Sequence, residues 1–177
     1  MFVAFVTRTL SVLAIGAQIF LLLGVVYFLL LGGGKGSWLG KLISQNAIKF
    51  GFIVALVATA GSLFFSEVAG FEPCRLCWFQ RIFMYPQVIL LGLAWLKKDN
   101  KIIEYSLVLA VTGAFISLYH NYIYYAAQKT AVCSLAVPCT TPYALEFGYI
   151  TIPMMALTAF LCLIFLFSVQ KAFGNSK

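Results

Sequence analysis

Charged residues are scarce in this sequence. Only 10% of the 177 residues are charged and just five are acidic, whereas 63% are hydrophobic and the mean hydropathy is +0.99. A soluble domain is normally about half apolar and about a quarter charged. Water is therefore not the main solvent of this chain.

Long polar stretches, internal repeats and low-complexity segments are lacking as well. A membrane-spanning helix needs roughly 20 mostly apolar residues, so this length holds four or five spans and leaves no room for a separate soluble domain. The net charge of +7 would suit nucleic acid, but the lysines lie beside the apolar runs, as they do in membrane proteins that fix their orientation. We expect no nucleic-acid partner.

Five apolar runs predict five transmembrane helices, because lipid leaves the backbone no other hydrogen-bonding partner than its own. The runs are residues 10–31, 50–65, 78–96, 102–122 and 149–169. A stretch rich in Gly and Lys, residues 32–49, predicts a connection between the first two. The first run is longer than the apolar core of a signal peptide, about 7–15 residues, and no convincing cleavage site follows it. We expect a retained helix with its amino end outside.

The lysines predict the orientation of the helices. Eight basic residues fall beside one set of helix ends and four beside the other. The eight are Lys35, Lys41, Lys49, Lys97, Lys98, Lys101, Lys171 and Lys177, and the four are Arg8, Arg75, Arg81 and Lys129. Because basic residues are enriched on the cytoplasmic side, we expect both cysteine pairs on the extracytoplasmic side.

The first cysteine pair, Cys74 and Cys77, follows a proline. Pro73 disfavours helix at the residue before it, which places the pair at a loop-to-helix junction. Unpaired N–H groups and the positive dipole end of a helix stabilise a thiolate there, and Arg75 and Arg81 add positive charge. The pattern favours reactive cysteines, with a permanent disulfide or half of a zinc site as the alternatives.

Arg81 is the first candidate for binding a cofactor. It lies one helical turn after Cys77, on the same face. Because a guanidinium at the lipid boundary is costly, we expect it to face an anion such as a quinone oxygen or a thiolate. The alternative is an anchor at the lipid headgroups.

His120 is the second candidate and the only histidine of the chain. It lies near the outer end of the fourth span, at the predicted depth of Arg81, among tyrosines. Two interpretations stay open, an interfacial histidine within an aromatic belt and a ligand or proton-carrying role.

The second pair, Cys133 and Cys139, lies in the longest predicted outer loop, residues 123–148. Taken alone, it predicts a disulfide that staples the loop. Together with the first pair on the same surface, it makes thiol–disulfide exchange between the pairs possible. Cys162 is isolated in an apolar run, roughly 20 Å below the outer end of the fifth span. We interpret it as a packing residue.

From about Asn46 to the carboxyl end, the sequence resembles the bacterial DsbB/BdbC family of disulfide bond formation proteins. The residues that carry the resemblance are Gly61-Ser62-Leu63-Phe64-Phe65-Ser66-Glu67, Pro73-Cys74-Arg75-Leu76-Cys77-Trp78-Phe79-Gln80-Arg81-Ile82 and Met84-Tyr85-Pro86. The short spacing of the second pair is similar to the BdbC branch. The resemblance implies an all-α membrane protein, a four-helix transmembrane bundle in residues 46–177, to which residues 1–45 add a helix and a linker.

The resemblance also implies an activity. The chain would be a thiol:quinone oxidoreductase of the bacterial cell membrane that reoxidises a DsbA/BdbD-like thioredoxin-fold oxidase and passes electrons to ubiquinone or menaquinone. Cys133 would form the mixed disulfide with this partner and Cys139 would exchange with Cys74. Cys77 would face the quinone, assisted by Arg81, and His120 would lie at the quinone by a looser match.

Three other interpretations are open. A vitamin K epoxide reductase-like protein also couples thiols to a quinone, but there the loop cysteines precede the CxxC motif, whereas here the motif comes first. A non-enzymatic membrane protein with a Cys₄ zinc site is allowed by stoichiometry and disfavoured by an oxidising exterior and the adjacent arginines. A structural helical bundle with two inert disulfides would never cycle between redox states.

Overall fold

The computed structural model describes residues 1–30, 38–126, 133, 139 and 143–174. These residues form five long helices, all of them long and apolar enough to cross a membrane. They are α1 (Phe2–Leu30), α2 (Trp38–Leu63), α3 (Arg75–Lys97), α4 (Ile102–Tyr125) and α5 (Ile152–Gly174). A π-helical turn, Phe64–Val68, continues α2. The predicted all-α membrane fold with five spans is confirmed.

The prediction that residues 32–49 connect two helices is wrong for their second part, because α2 already begins at Trp38. This part contains a single glycine and no proline, so nothing in it interrupts a helix. Since roughly 20 residues suffice to span the hydrocarbon layer, the 26-residue α2 extends beyond it and carries Lys41 and Lys49 on its first turns. Residues 32–37 lie outside the described part.

Helices α2 to α5 form a bundle in which α2 packs on α3 and α5, and α4 packs on the same two helices. Helix α1 packs on the outside of this bundle, mainly against α5. The core lies between the four bundle helices. It is built from Ala55, Met84, Leu91, Ile103, Ala110, Ala114, Phe160, Leu163, Leu166 and Phe167.

Contacts between helix ends show which ends lie together. Lys171 of α5 pairs with Glu104 of α4 at 3.1 Å, and Phe173 of α5 packs beside Gly40 of α2 and Phe28 of α1. The lysine-bearing ends therefore share one end of the bundle. The two cysteine pairs lie at the other end.

A short antiparallel hairpin precedes α5. Strand β1 (Leu145–Glu146) pairs with β2 (Ile150–Thr151), and Phe147 and Gly148 at its turn have φ of 53° and 79°. The sequence predicted an irregular loop here and a helix from residue 149, whereas α5 begins at Ile152. Most of the predicted outer loop, residues 127–132, 134–138 and 140–142, lies outside the described part.

Candidate active site

The CxxC pair lies where α3 begins, which confirms the predicted loop-to-helix junction. Cys74 caps the helix in an extended conformation, with φ of −68° and ψ of 171°, and its carbonyl accepts the first helical hydrogen bond from the Trp78 amide at 3.1 Å. The Sγ atoms of Cys74 and Cys77, one helical turn apart, lie 3.2 Å from each other. Both are free thiols, and this distance allows a hydrogen bond between them. The junction thus places both sulfurs side by side at the positive end of α3.

The second pair lies against the first. Cys133 and Cys139 form a disulfide, and both pack in one cluster with Cys74 and Cys77. Apolar side chains from the helices complete this cluster. They are Leu76 of α3 and Ile116 and Ile123 of α4. The predicted approach of the two pairs is confirmed, so exchange between them needs no large movement of the chain.

His120 lies inside the site and not in the lipid interface, because its side chain is only 1% exposed. Its Nε2 is 3.7 Å from Cys74 Sγ and 3.3 Å from the Cys139 carbonyl oxygen. Its Nδ1 is 3.0 Å from the Gln80 side-chain amide nitrogen. When this amide donates to Nδ1, Nε2 carries the proton and faces both cysteine pairs. This burial argues against the interfacial interpretation, and the ligand or proton-carrying role of His120 stays a prediction.

These contacts make Cys74 the acidic thiol of the pair. A hydrogen bond from the Cys77 thiol lowers the pKa of Cys74 to about 4, against the opposing effect of burial, and the hydrogen bond from His120 acts in the same direction. A thiolate is the nucleophile and the better leaving group in disulfide exchange. Cys74 is therefore prepared for exchange with the adjacent disulfide.

Arg81 is buried, with 8% of its side chain exposed, so it does not anchor α3 at the headgroups. Its Nε donates to Ser62 Oγ and its Nη2 to the Ser62 carbonyl, both at 3.0 Å. Its guanidinium carbon lies 5.1 Å from the Trp78 ring centroid and 6.0 Å from that of Tyr85. Among the described residues, no carboxylate lies within ion-pair distance of it. The positive charge is thus held in place and left available to an anionic group.

A cavity of about 310 Å³ adjoins these groups. Cys74, Cys77, Arg81 and His120 all line it, which confirms that Cys77 and Arg81 share a face of α3. Most other lining residues are apolar and come from α1, α2 and α5. This volume is within the range of small-molecule sites, about 300–1,000 Å³. A flat apolar ring with a polar oxygen fits such a lining, and the residues present therefore suit a quinone.

Three polar residues of the site were quoted only as parts of a motif and were not predicted as site residues. Gln80 and Tyr85 lie on α3 three and eight residues after Cys77, and Gln80 could have been found as a polar group in an apolar run on the cysteine face. Ser62 carries no such signal. It comes from α2 and accepts hydrogen bonds from Arg81 and from the Tyr85 hydroxyl.

Cys162 is a free, buried cysteine of α5. Its side chain is one of those that line the cavity. Trp78 and Phe79 are about half exposed.

The first pair and the histidine also form a group of metal-ligating atoms. The Sγ atoms of Cys74 and Cys77 and a ring nitrogen of His120 lie within 4.8 Å of one another. The predicted Cys₄ zinc alternative needs all four sulfurs as ligands, whereas those of Cys133 and Cys139 are bonded to each other. The structure therefore offers a Cys₂His set and not the Cys₄ set.

Fold and site together define the class of this protein. It is a helical membrane protein whose reactive groups are thiols, with a dithiol and a disulfide packed against each other at one end of the bundle.

Sequence comparison gives the family. Residues 44–170 match the family described as disulfide bond formation protein DsbB. The chain belongs to this family, whose reaction makes it a redox enzyme. The matched region begins within α2 and leaves all of α1 outside.

Curated bacterial relatives agree with the family. The chain is 54% identical over 113 residues to the probable disulfide formation protein C 1 of Bacillus cereus, which covers 60% of this chain and 78% of the relative. It is 44% identical over 136 residues to the disulfide bond formation protein C of Bacillus subtilis, covering 72% of this chain and 96% of the relative. No solved structure matches the chain.

Proposed function

We propose that this chain is a membrane thiol:quinone oxidoreductase that reoxidises an extracytoplasmic thioredoxin-fold dithiol oxidase, of the DsbA/BdbD kind, and passes the electrons to a membrane quinone. One observation carries this proposal. The four cysteines of the two pairs pack in a single cluster, and Cys74 and Cys77 line a cavity that Arg81 also lines. The relatives named as disulfide formation proteins support it.

Two electrons and two protons pass through two exchange reactions. A thiolate of the reduced partner attacks Cys133, and the Cys133–Cys139 bond breaks as the partner disulfide forms. The resulting dithiol then reduces a Cys74–Cys77 disulfide, with Cys139 attacking Cys74. Each step forms one disulfide and breaks another, so the chain returns to its starting state once Cys74 and Cys77 are oxidised again.

In the second exchange, the attack of Cys139 on Cys74 releases Cys77, and Cys133 then attacks Cys139 and releases Cys74. The environment of Cys74 suits it as the leaving group of this last attack. His120 Nε2 faces its sulfur, and the Gln80 amide holds the imidazole in this orientation. Stabilising the Cys74 thiolate favours its release from the mixed disulfide with Cys139, which restores the Cys133–Cys139 bond. Cys77 then remains on the cavity side to give up the electrons.

At the cavity, Cys77 and Arg81 act on the acceptor. A bound quinone supplies the two-electron sink, ubiquinone or menaquinone by the family resemblance. Arg81 binds and orients its oxygen and stabilises the negative charge that develops there. Ser62 and the rings of Trp78 and Tyr85 keep the guanidinium in place. The apolar lining excludes water from the reacting atoms.

Serine substitutions test this relay. Replacing any one of Cys74, Cys77, Cys133 or Cys139 should abolish partner-dependent quinol formation, because each is needed to form or break a disulfide. Cys162→Ser is the matched control and should retain wild-type turnover. Turnover that survives in any of the four variants would contradict the relay.

A second candidate function is binding of a thiophilic metal, and the Cys74–Cys77–His120 group favours it. It predicts one zinc ion per chain after purification of the reduced protein, lost in His120→Ala. Metal analysis of the wild type in the reduced and oxidised forms distinguishes the candidates, because the relay needs no metal in either form.

A further inference from the structure

Helix α1 lines part of the cavity, although it lies outside the region that matches the family. The match covers residues 44–170, and the Bacillus subtilis relative is aligned over 96% of its own length. Helix α1, Phe2–Leu30, lies wholly before the matched region. A contribution of α1 to the site is therefore a property of this chain beyond the family region.

One stripe of α1 lines the cavity. Leu10, Leu13, Ala14 and Ala17 recur at the spacing of one helix face, and all four line the same cavity as Cys77 and Arg81. Residues of α2 and α5 line it beside them. The stripe thus forms one side of the cavity, and α2 and α5 form the sides next to it.

Polar contacts fix α1 in this position. The Gln18 amide donates to Thr158 Oγ1 of α5 at 3.0 Å, and the Tyr149 hydroxyl donates to Gln18 Oε1 at 3.1 Å. Thr158 itself lines the cavity. Hydrogen bonds between helices hold them together where lipid offers no polar partner. One side chain of α1 therefore joins the helix to α5 and to the turn of the hairpin.

Close packing in the half of α1 before Gln18 supports the same position. The small residues Ser11 and Ala14 of α1 are buried, as expected for a helix that approaches its neighbours closely in a membrane. At Gly61 of α2, an added Cβ would lie 3.1 Å from Leu10 Cδ1. Helix α1 is thus seated against α2 as well as α5.

We infer that α1 forms the lipid-side wall of the acceptor cavity and that its stripe of Leu10, Leu13, Ala14 and Ala17 determines how tightly a quinone ring is bound. This inference rests on the proposed function, since the ligand is the same acceptor. Helix α1 contacts the ligand and contributes nothing to exchange between the cysteine pairs, which lie on α3 and the loop before the hairpin.

Filling the cavity from α1 tests the inference. Ala17→Phe in the full chain should weaken binding of a decyl-tailed quinone by about tenfold or more, because its ring takes space that the ligand needs. Binding is measured without partner or turnover, by quenching of tryptophan fluorescence, since Trp78 lies beside Arg81. Ala4→Phe is the matched control, because Ala4 is exposed on α1 and does not line the cavity.

Removing apolar contact gives a second variant, which decides the question should Ala17→Phe not fold. Leu10→Ala should weaken quinone binding about threefold to tenfold through lost apolar contact, and the exposed Leu22→Ala is its control. Both Leu10→Ala and Ala17→Phe should leave the rate of partner thiol exchange unchanged. A wild-type dissociation constant in the folded α1 variants overturns the inference.

The two failures are distinguishable. Absence of quinol formation by the wild-type protein overturns the proposed function. Normal quinol formation with unchanged binding in Ala17→Phe and Leu10→Ala overturns only the role of α1.

Discussion

At the scale of single residues, Cys74 differs from its neighbour in function although both belong to one CxxC motif. It caps α3, accepts a hydrogen bond from the Cys77 thiol and faces His120. All three favour the thiolate, and burial opposes them without outweighing them. The motif gives two equivalent sulfurs, and the fold makes one of them acidic.

The low pKa of Cys74 predicts its pH profile. An acid whose pKa is lowered to about 4 is ionised above that pH and loses its charge only as the pH falls through it. Alkylation of Cys74 in the reduced protein should therefore be nearly independent of pH from about pH 5 to about pH 8, whereas an ordinary thiol, with a pKa of about 8.5, gains reactivity over this range. Mass spectrometry of the Cys74 peptide measures the rate.

The matched variant is His120→Ala. It removes a hydrogen bond that lowers the pKa of Cys74, so the alkylation midpoint should move to higher pH. A wild-type midpoint near that of an ordinary thiol would show that this environment does not act on Cys74.

Ser62 predicts a second residue-scale effect. Ser62→Ala removes the acceptor of Arg81 Nε and of the Tyr85 hydroxyl. Losing a hydrogen bond to a charged group costs about 1.5–3 kcal/mol, so the KM for quinone should rise about tenfold or more, and Arg81→Ala should have a larger effect on both KM and kcat. Quinol formation at varied quinone concentration measures both.

Partner thiol exchange is the internal control for these variants, because Ser62 and Arg81 do not contact the second pair. Ser168→Ala, at an exposed position of α5, is the matched control. If Ser62→Ala retains the wild-type KM, Ser62 does not position Arg81.

At the scale of elements, the five helices could be predicted because apolar runs in lipid have only one stable backbone. The starts of α2 and α5 could not. The start of α2 at Trp38 depends on how far a helix continues beyond the apolar layer, and the hairpin before α5 depends on positive φ at Phe147. Neither leaves a hydropathy signal.

Close approach of α4 and α5 predicts an element-scale effect. A Cβ added at Gly113 would clash with the Phe160 ring, and that ring is fully buried. Gly113→Ala should therefore destabilise the bundle by about 1–3 kcal/mol. Unfolding in detergent, followed by circular dichroism, measures the change.

Gly16→Ala is the matched control, because nothing lies within 4 Å of a Cβ at Gly16. There alanine should be neutral or slightly stabilising, since it favours helix over glycine. Equal stability changes in both variants would contradict the close packing of α4 and α5.

At the scale of the whole molecule, the sequence predicted most of the residues of the candidate site but few of the contacts between them. The CxxC junction and the shared face of Cys77 and Arg81 follow from local rules of helix geometry. The position of His120 could not be decided, because its partners come from two other segments, the start of α3 and the loop before the hairpin. Ser62 could not be predicted, since only the packing of α2 on α3 brings it to Arg81.

The distribution of lysines predicts the orientation of the whole molecule. In right-side-out spheroplasts, a membrane-impermeant maleimide should label a single cysteine at position 133, in a chain otherwise free of cysteine. A single cysteine placed by Lys98→Cys, at the opposite end of the bundle, should react only after the membrane is opened. The reverse pattern would contradict an extracytoplasmic redox site.

The central claim is that four sulfurs carry two electrons from a soluble dithiol to a lipid-soluble acceptor. The most direct measurement mixes purified protein anaerobically with a reduced thioredoxin-fold oxidase and a quinone, and counts both products. The account predicts one quinol for each partner disulfide formed, over many turnovers. Partner oxidation that stops at the disulfides already present in the protein, with no quinol formed, would contradict it.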